Sequence, residues 1–173
     1  GHGTGIAFNE HYMVTTGDAA PHSEQLDSIV VIVNGLPSIA RVEHSADTVL
    51  DKENNSYMNM AIVQVDNKVL LNACKIDDNP VTYGPVTVNG YKRDGKEVQA
   101  QAFQAKVIPD STFTNLANAL NVRTPGGFSG AAISRNGKVI GMSFGNSTSN
   151  PNVSFFYNGI LLNEYILHQN RPT

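Results

Sequence analysis

A chain of 173 residues is long enough for one compact unit that buries roughly two-thirds of its unfolded surface without disulfide staples. Twelve Lys plus Arg against 15 Asp plus Glu give a formal charge of -3. The basic residues are scattered, which argues against a nucleic-acid footprint. The longest apolar runs, such as Ile29-Val30-Val31-Ile32-Val33, are far shorter than the ~20 residues a membrane helix needs.

A single cysteine, Cys74, rules out an internal disulfide. Its neighbours Leu70-Leu71-Asn72-Ala73 would not stabilise a thiolate, so it is expected to pack as a small apolar side chain. No secretory signal pattern opens the chain, and Gly1-His2 has the look of a cloning remnant.

Short β-type runs recur in chain order: 4–8, 12–16, 28–33, 39–43, 60–65, 86–91, 99–108, 131–134, 139–143 and 153–157. Asn9-Glu10-His11, Asn34-Gly35, Asp94-Gly95 and Asn136-Gly137 are hairpin-type connections between them. Many short strands with such punctuation predict a sandwich or barrel. Helical spacing appears only near the end, where Leu161, Leu162, Tyr165 and Ile166 predict a short amphipathic helix. Polar residues 67–83, including Asp77-Asp78-Asn79-Pro80, read as a connection between two halves. An all-β chain of two small barrels with a terminal helix is therefore expected. The first barrel and its linker would span 3–80 and the second 81–173.

The stretch Gly127-Phe128-Ser129-Gly130 carries the first chemical signal. Acyl transfer by serine needs an exposed hydroxyl, backbone N–H groups aimed at the developing oxyanion, and a base within hydrogen-bond reach. Glycines on both sides of the serine allow the sharp turn that aims the Gly127 and Ser129 N–H groups into one pocket. A bare Gly-x-Ser-Gly is more often an ordinary Gly-rich turn, so context decides. Downstream, Ala131-Ala132-Ile133-Ser134, the Asn136-Gly137 turn and Lys138 to Gly145 form a hairpin behind the loop.

This arrangement resembles the trypsin-like serine protease family. Upstream it is similar to the heat-shock (HtrA-like) branch and to small bacterial and viral members. Gly3-Thr4-Gly5-Ile6-Ala7-Phe8 with Tyr12-Met13-Val14-Thr15-Thr16 looks like that family's opening hairpin. Asn59-Met60-Ala61-Ile62-Val63-Gln64-Val65 looks like the strand that opens with the triad acid, and Gly84 to Tyr91 looks like the start of the second barrel. The resemblance implies two six-stranded antiparallel β-barrels with a cleft between them. It also implies a polypeptide substrate or protein ligand, no cofactor or metal, and an extracytoplasmic or viral-polyprotein setting. Ser129 takes the nucleophile position, and Gly127 with Ser129 the oxyanion donors. Ser143, Phe144 and Gly145 take the substrate-pairing strand, and Arg123, six residues before the serine, the base of the specificity pocket.

Two positions depart from the family's pattern. The general-base position falls on Asp18 and the orienting-acid position on Asn59, where the family has His and Asp. An imidazole works near neutral pH because its ordinary pKa is ~6.5, whereas an aspartate starts from ~3.9, a deficit of about 3.5 kcal/mol in driving force. Asparagine carries no charge with which to stabilise an imidazolium. The expectation is a protease fold with impaired catalysis, retained to bind polypeptide. The alternative is an active endopeptidase, or an engineered inactive form of one. Its displaced base would be His22, one helical turn beyond Asp18, or His44 in the loop expected before Asn59. Asp47 and Asp51 in that loop are candidate replacement acids. His11 is placed at a hairpin tip and His168 on the terminal helix. No His or Cys pair has zinc-ligand spacing. Asn-x-Ser/Thr sequons begin at Asn54, Asn146 and Asn152.

Overall fold

In a computed structural model, the described residues, which are 2–20, 28–51, 56–79, 81–95, 97–110 and 117–169, include eleven strands and one helix. The N-terminal half consists of β1 (Ile6–Ala7), β2 (Tyr12–Thr15), β3 (Ser28–Val33), β4 (Leu36–Asp51) and β5 (Ser56–Val65). They form a five-stranded antiparallel sheet in the order β1-β2-β5-β4-β3. The C-terminal half consists of β6 (Gly84–Asp94), β7 (Glu97–Ile108), β8 (Ala117–Leu120), β9 (Ala132–Arg135), β10 (Lys138–Asn146) and β11 (Ser154–Asn158). These six close into a barrel in the order β10-β11-β8-β7-β6-β9. The fold is thus mostly β, with one closed six-stranded barrel, a second sheet and the helix α1 (Gly159–Gln169).

Turn chemistry explains the hairpins. Asn34 and Gly35 have φ of 52° and 81°, and Asn136 and Gly137 have φ of 53° and 77°. Both central residues of each turn are thus left-handed, as a two-residue type I′ turn requires, and Asn-Gly adopts that conformation most cheaply. Register pairs Val33 with Leu36 and Arg135 with Lys138 across these turns.

Three expectations need correction. His44, Asp47 and Asp51, expected in a loop, lie inside the 16-residue β4, held by its ladder to β5 in which His44 pairs with Ile62, Asp47 with Asn59 and Asp51 with Ser56. Strand β8 was not expected, because Ala117-Asn118-Ala119-Leu120 has weak intrinsic strand preference. Pairing with β11 and β7 imposes it. Cys74 is exposed, not packed, since the 67–83 connection crosses the surface and is tied down there by its backbone, with the Cys74 N–H donating to the Ala7 carbonyl at 2.8 Å.

The halves share a core. Ile6, Val14, Met60 and Ile62 from the first sheet pack with Val139, Met142 and Tyr157 from the barrel and with Leu161, Leu162 and Tyr165 from α1. Each such side chain contributes about 1.5–3 kcal/mol of burial free energy. The helix starts where the Asn158 side chain accepts the Leu161 N–H at 3.0 Å, an N-cap bond. Its Tyr165 hydroxyl donates to the Met60 carbonyl at 3.3 Å, and burial pushes that phenol well above its ordinary range.

Candidate active site

Strand β2 ends at Thr15 and the chain turns through Gly17–Ala20, with the Ala20 N–H on the Thr16 carbonyl at 3.1 Å. That turn presents Asp18 at the surface beside Asn59 of β5. The two side chains meet: the Asn59 amide donates to Asp18 Oδ1 at 3.0 Å, and the Asp18 backbone N–H donates to Asn59 Oδ1 at 3.0 Å. The Tyr157 hydroxyl accepts the Asn59 N–H at 2.9 Å, which fixes Asn59 from the barrel side.

The loop bearing Ser129 is held by its carbonyls. Thr4 Oγ1 donates to the Gly127 carbonyl at 2.9 Å, and the Thr4 N–H donates to the Ser129 carbonyl at 2.8 Å. The Phe128 N–H is spent on the Pro125 carbonyl at 3.2 Å. Among the described residues the Gly127 and Ser129 N–H groups have no protein acceptor, and both residues line one cleft. Two backbone donors left open on a cleft wall are what an oxyanion site requires. Ser129 Oγ likewise has no hydrogen-bond partner among the described residues.

Glycine is demanded here by space as well as by angle. Gly127 and Gly130 have φ of 91° and 93°. A Cβ on Gly130 would stand 1.9 Å from the Thr4 carbonyl oxygen and 2.5 Å from Thr15 Oγ1. Gly130→Ala is therefore expected to destabilise the protein by about 3 kcal/mol or more, measured as a loss of unfolding free energy in denaturant.

The cleft holds about 500 Å³ and is lined by Arg123, Thr124, Pro125, Gly126, Gly127, Ser129, Gly145 and Asn146. Arg123 is exposed, so it stands at the rim and not at a buried base. Asn146 clamps the wall: its Oδ1 accepts the Thr124 N–H at 2.8 Å and hydroxyl at 3.1 Å, and its Nδ2 donates to the Thr124 carbonyl at 3.0 Å. That amide is engaged inside the fold, which displaces the sequon reading of Asn146. Ser143 is buried, with its N–H on the Ala131 carbonyl at 2.9 Å and its carbonyl receiving the Gly130 N–H at 2.8 Å. Phe144 stacks on Tyr157 at 4.1 Å between ring centroids. Pairing of β10 with β9 stops at Met142, the Ala131 and Gly130 backbone carries it on to Ser143, and beyond that the flank carries no strand among the described residues.

Asp18 and Asn59, far apart in sequence, thus meet, and Ala19 beside Asp18 and the Ser129 carbonyl both lie against Gly3, while Ser129 Oγ has no hydrogen-bond partner among the described residues. His22 lies outside the described residues. His44 is on β4, three ladder positions from the partner of Asn59. Sequence reasoning missed Thr4, Asn146 and Tyr157, whose signals were faint: a threonine between two glycines, and polar residues at strand ends. No described group of His, Cys, Asp and Glu is arranged to hold a metal ion, and no described helix is long and apolar enough to cross a membrane.

The closed barrel, the packed second sheet, the terminal helix and the serine loop between them are the fold of the trypsin-like serine proteases. An inactive form of Rv3671c from Mycobacterium tuberculosis matches with a TM-score of 0.76 and 18% identity, over 99% of this chain and 83% of that one. The serine protease of a human pathogenic astrovirus matches with a TM-score of 0.62 and 18% identity, over 90% and 82%. The scabies mite inactivated protease paralogue S-I1 matches with a TM-score of 0.68 and 14% identity, over 95% and 85%. At such identities the likeness establishes fold. No protein-family model and no curated protein sequence matches the chain.

Proposed function

We propose that this is a trypsin-like protease-fold domain with impaired proteolysis, retained to bind extended polypeptide in the cleft beside Ser129. In this reading Ser129 holds the nucleophile position, Gly127 and Ser129 the oxyanion donors, and Asp18 and Asn59 the base and acid positions. Ser143, Phe144, Gly145 and Arg123 flank the bound chain, and residues 3–80 and 81–173 are the two halves of one domain. The observation that carries it is the reciprocal Asp18–Asn59 pair. An amide in the acid position occupies the Asp18 carboxylate, and no described imidazole hydrogen-bonds Ser129, the nearest to its loop being His2, which lies against Gly127. The residual advantage of an oxyanion hole and binding alone is ~10³ to 10⁴ over water. That two scabies mite proteins with this fold are named inactivated protease paralogues supports a fold outliving its activity.

The flank of β10 left without a strand past Ser143 among the described residues, next to a cleft open at Gly145, supports binding by strand addition. Arg123 at the rim favours an acidic or polar side chain before the scissile bond of a bound polypeptide. The test is exposure to a broad fluorophosphonate probe, where labelling no faster than that of Ser129→Ala is expected. Stoichiometric labelling abolished in Ser129→Ala would sink the proposal. If that labelling also vanished in His22→Ala or His44→Ala, the displaced-base endopeptidase would replace it.

A further inference from the structure

Hydrogen bonding divides the wall of the Ser129 cleft unevenly. Its acceptors are engaged from within the fold. The carbonyls of Thr124, Pro125, Gly127, Phe128 and Ser129 receive the Asn146 amide, the Phe128 N–H, the Thr4 hydroxyl, the Ala131 N–H and the Thr4 N–H in turn, at 2.8 to 3.2 Å. Asn146 Oδ1 is taken as well, by the Thr124 N–H and hydroxyl. The donors are what remain. The N–H groups of Gly127 and Ser129 and the Ser129 hydroxyl have no partner among the described residues, and Arg123 is the one charged side chain on the described lining.

Such a wall selects its ligand by charge. Backbone N–H groups that converge at a turn form a concavity suited to an anion, and hydrogen bonds to an ionised acceptor are roughly twice as strong as those to a neutral one. An internal peptide carbonyl offers these donors one neutral oxygen. Only attack by an activated serine would place negative charge on it, and in the proposed reading that step is impaired. The carboxylate that ends a polypeptide carries its charge permanently, with one oxygen for the two N–H groups and a second for the Ser129 hydroxyl. The carboxylate of the adjoining turn, Asp18, is drawn onto the Asn59 amide. Space allows the fit, since a Cβ on Gly126 or Gly145 would meet nothing within 4 Å and both glycines line the cleft.

We infer that the cleft captures the C-terminus of an extended polypeptide, with the terminal carboxylate seated on the Gly127 and Ser129 N–H groups and the last side chain beside Arg123. The residues before it run along β10 past Ser143, the flank that carries no strand among the described residues. This rests on the proposed reading of the cleft as a polypeptide site and names the part of the polypeptide it takes, an end and not an internal segment.

The probes are acetyl-Val-Thr-Val-Gln with a free C-terminal carboxylate and the same peptide as its C-terminal amide, titrated into the isotope-labelled 173-residue chain and followed by NMR. Its β-branched residues suit strand addition, and glutamine keeps the last side chain uncharged so that only the terminus differs. The free acid is expected to bind about tenfold or more tightly than the amide, and to move the Gly127 and Ser129 amide protons further downfield. In Gly145→Phe, whose side chain enters open space, both peptides are expected to lose binding while the melting temperature holds. Equal affinity for acid and amide overturns the inference and leaves the cleft a polypeptide site, as does binding retained in Gly145→Phe. A preference for the acid that disappears in Arg123→Gln, with the two amide protons unmoved, overturns it too, because the rim arginine would then be reading the charge. The same shifts produced by sodium acetate at equal concentration overturn it in favour of a site for any small anion. Absence of binding by either peptide at millimolar concentration overturns both the inference and the proposed polypeptide site.

Discussion

Replacing Asp18 by His and Asn59 by Asp together is expected to make Ser129 reactive toward fluorophosphonates, raising the labelling rate by roughly 10³-fold or more over the unmodified chain. In the proposed reading, the Asp18–Asn59 contact already supplies the pairing such a base needs. The Asp18 backbone N–H donates to Asn59 Oδ1, a bond that an aspartate at 59 would keep, while its second oxygen would accept from an imidazole N–H where it now meets Asp18 Oδ1. Asp18 is exposed, so the larger ring has room. Neither single change suffices. Asp18→His alone sets an imidazole against the Asn59 amide donor, which holds the ring in the wrong tautomer and in a comparable triad costs about 10⁴. Asn59→Asp alone places two carboxylates where an amide now bridges, and like charges at hydrogen-bond distance repel. The gain is therefore non-additive, and labelling of the double variant should rise with pH through ~6.5 as the imidazole loses its proton. A folded double variant that stays unlabelled would mean that the Gly127 and Ser129 N–H groups do not serve an oxyanion, and the cleft would then be a binding surface only.

What the sequence made legible was what local chemistry compels. Asn34-Gly35 and Asn136-Gly137 announce themselves because few residue pairs tolerate two successive left-handed conformations. The Gly127-to-Gly130 loop does so because its glycines have no room for a Cβ. The Asp18–Asn59 contact, 41 residues apart, was reachable only because the strand pattern resembles a family in which those positions meet. Thr4 was not reachable. Three of its bonds, to Gly127, Ser129 and Tyr91, span separations of 87 to 125 residues, and nothing near Thr4 encodes them. Asn146 read as a sequon because its partner Thr124 lies on another segment of the cleft wall. The length of β4 was missed for a related reason: His44, Ser45 and Asp47 are polar, and their strand conformation comes from the β5 ladder beside them.

Phe128→Ala is expected to cost about 3–5 kcal/mol, a fall in melting temperature of roughly 10 °C. The residue sits between two cleft residues, yet its ring points inward, is fully buried in the barrel core and stacks on Phe103 at 5.6 Å between centroids. Gly90 on β6 is small to receive it, since a Cβ there would lie 2.8 Å from two ring carbons. The two positions should therefore couple. Gly90→Val alone forces the ring aside and destabilises by about 1–3 kcal/mol through overpacking, but in Phe128→Ala it fills part of the cavity. A double-mutant cycle by denaturant unfolding should give a favourable coupling of about 1–3 kcal/mol. Additive losses would mean that the ring does not occupy the space above Gly90. The same anchor bears on the cleft, because Phe128 lies between Gly127 and Ser129 and its burial fixes the direction of both flanking peptides. Adding Phe128→Ala to the Asp18→His, Asn59→Asp background should thus lower fluorophosphonate labelling even at temperatures where the barrel remains folded. Labelling that survives intact would show that the Thr4 bonds alone hold the loop.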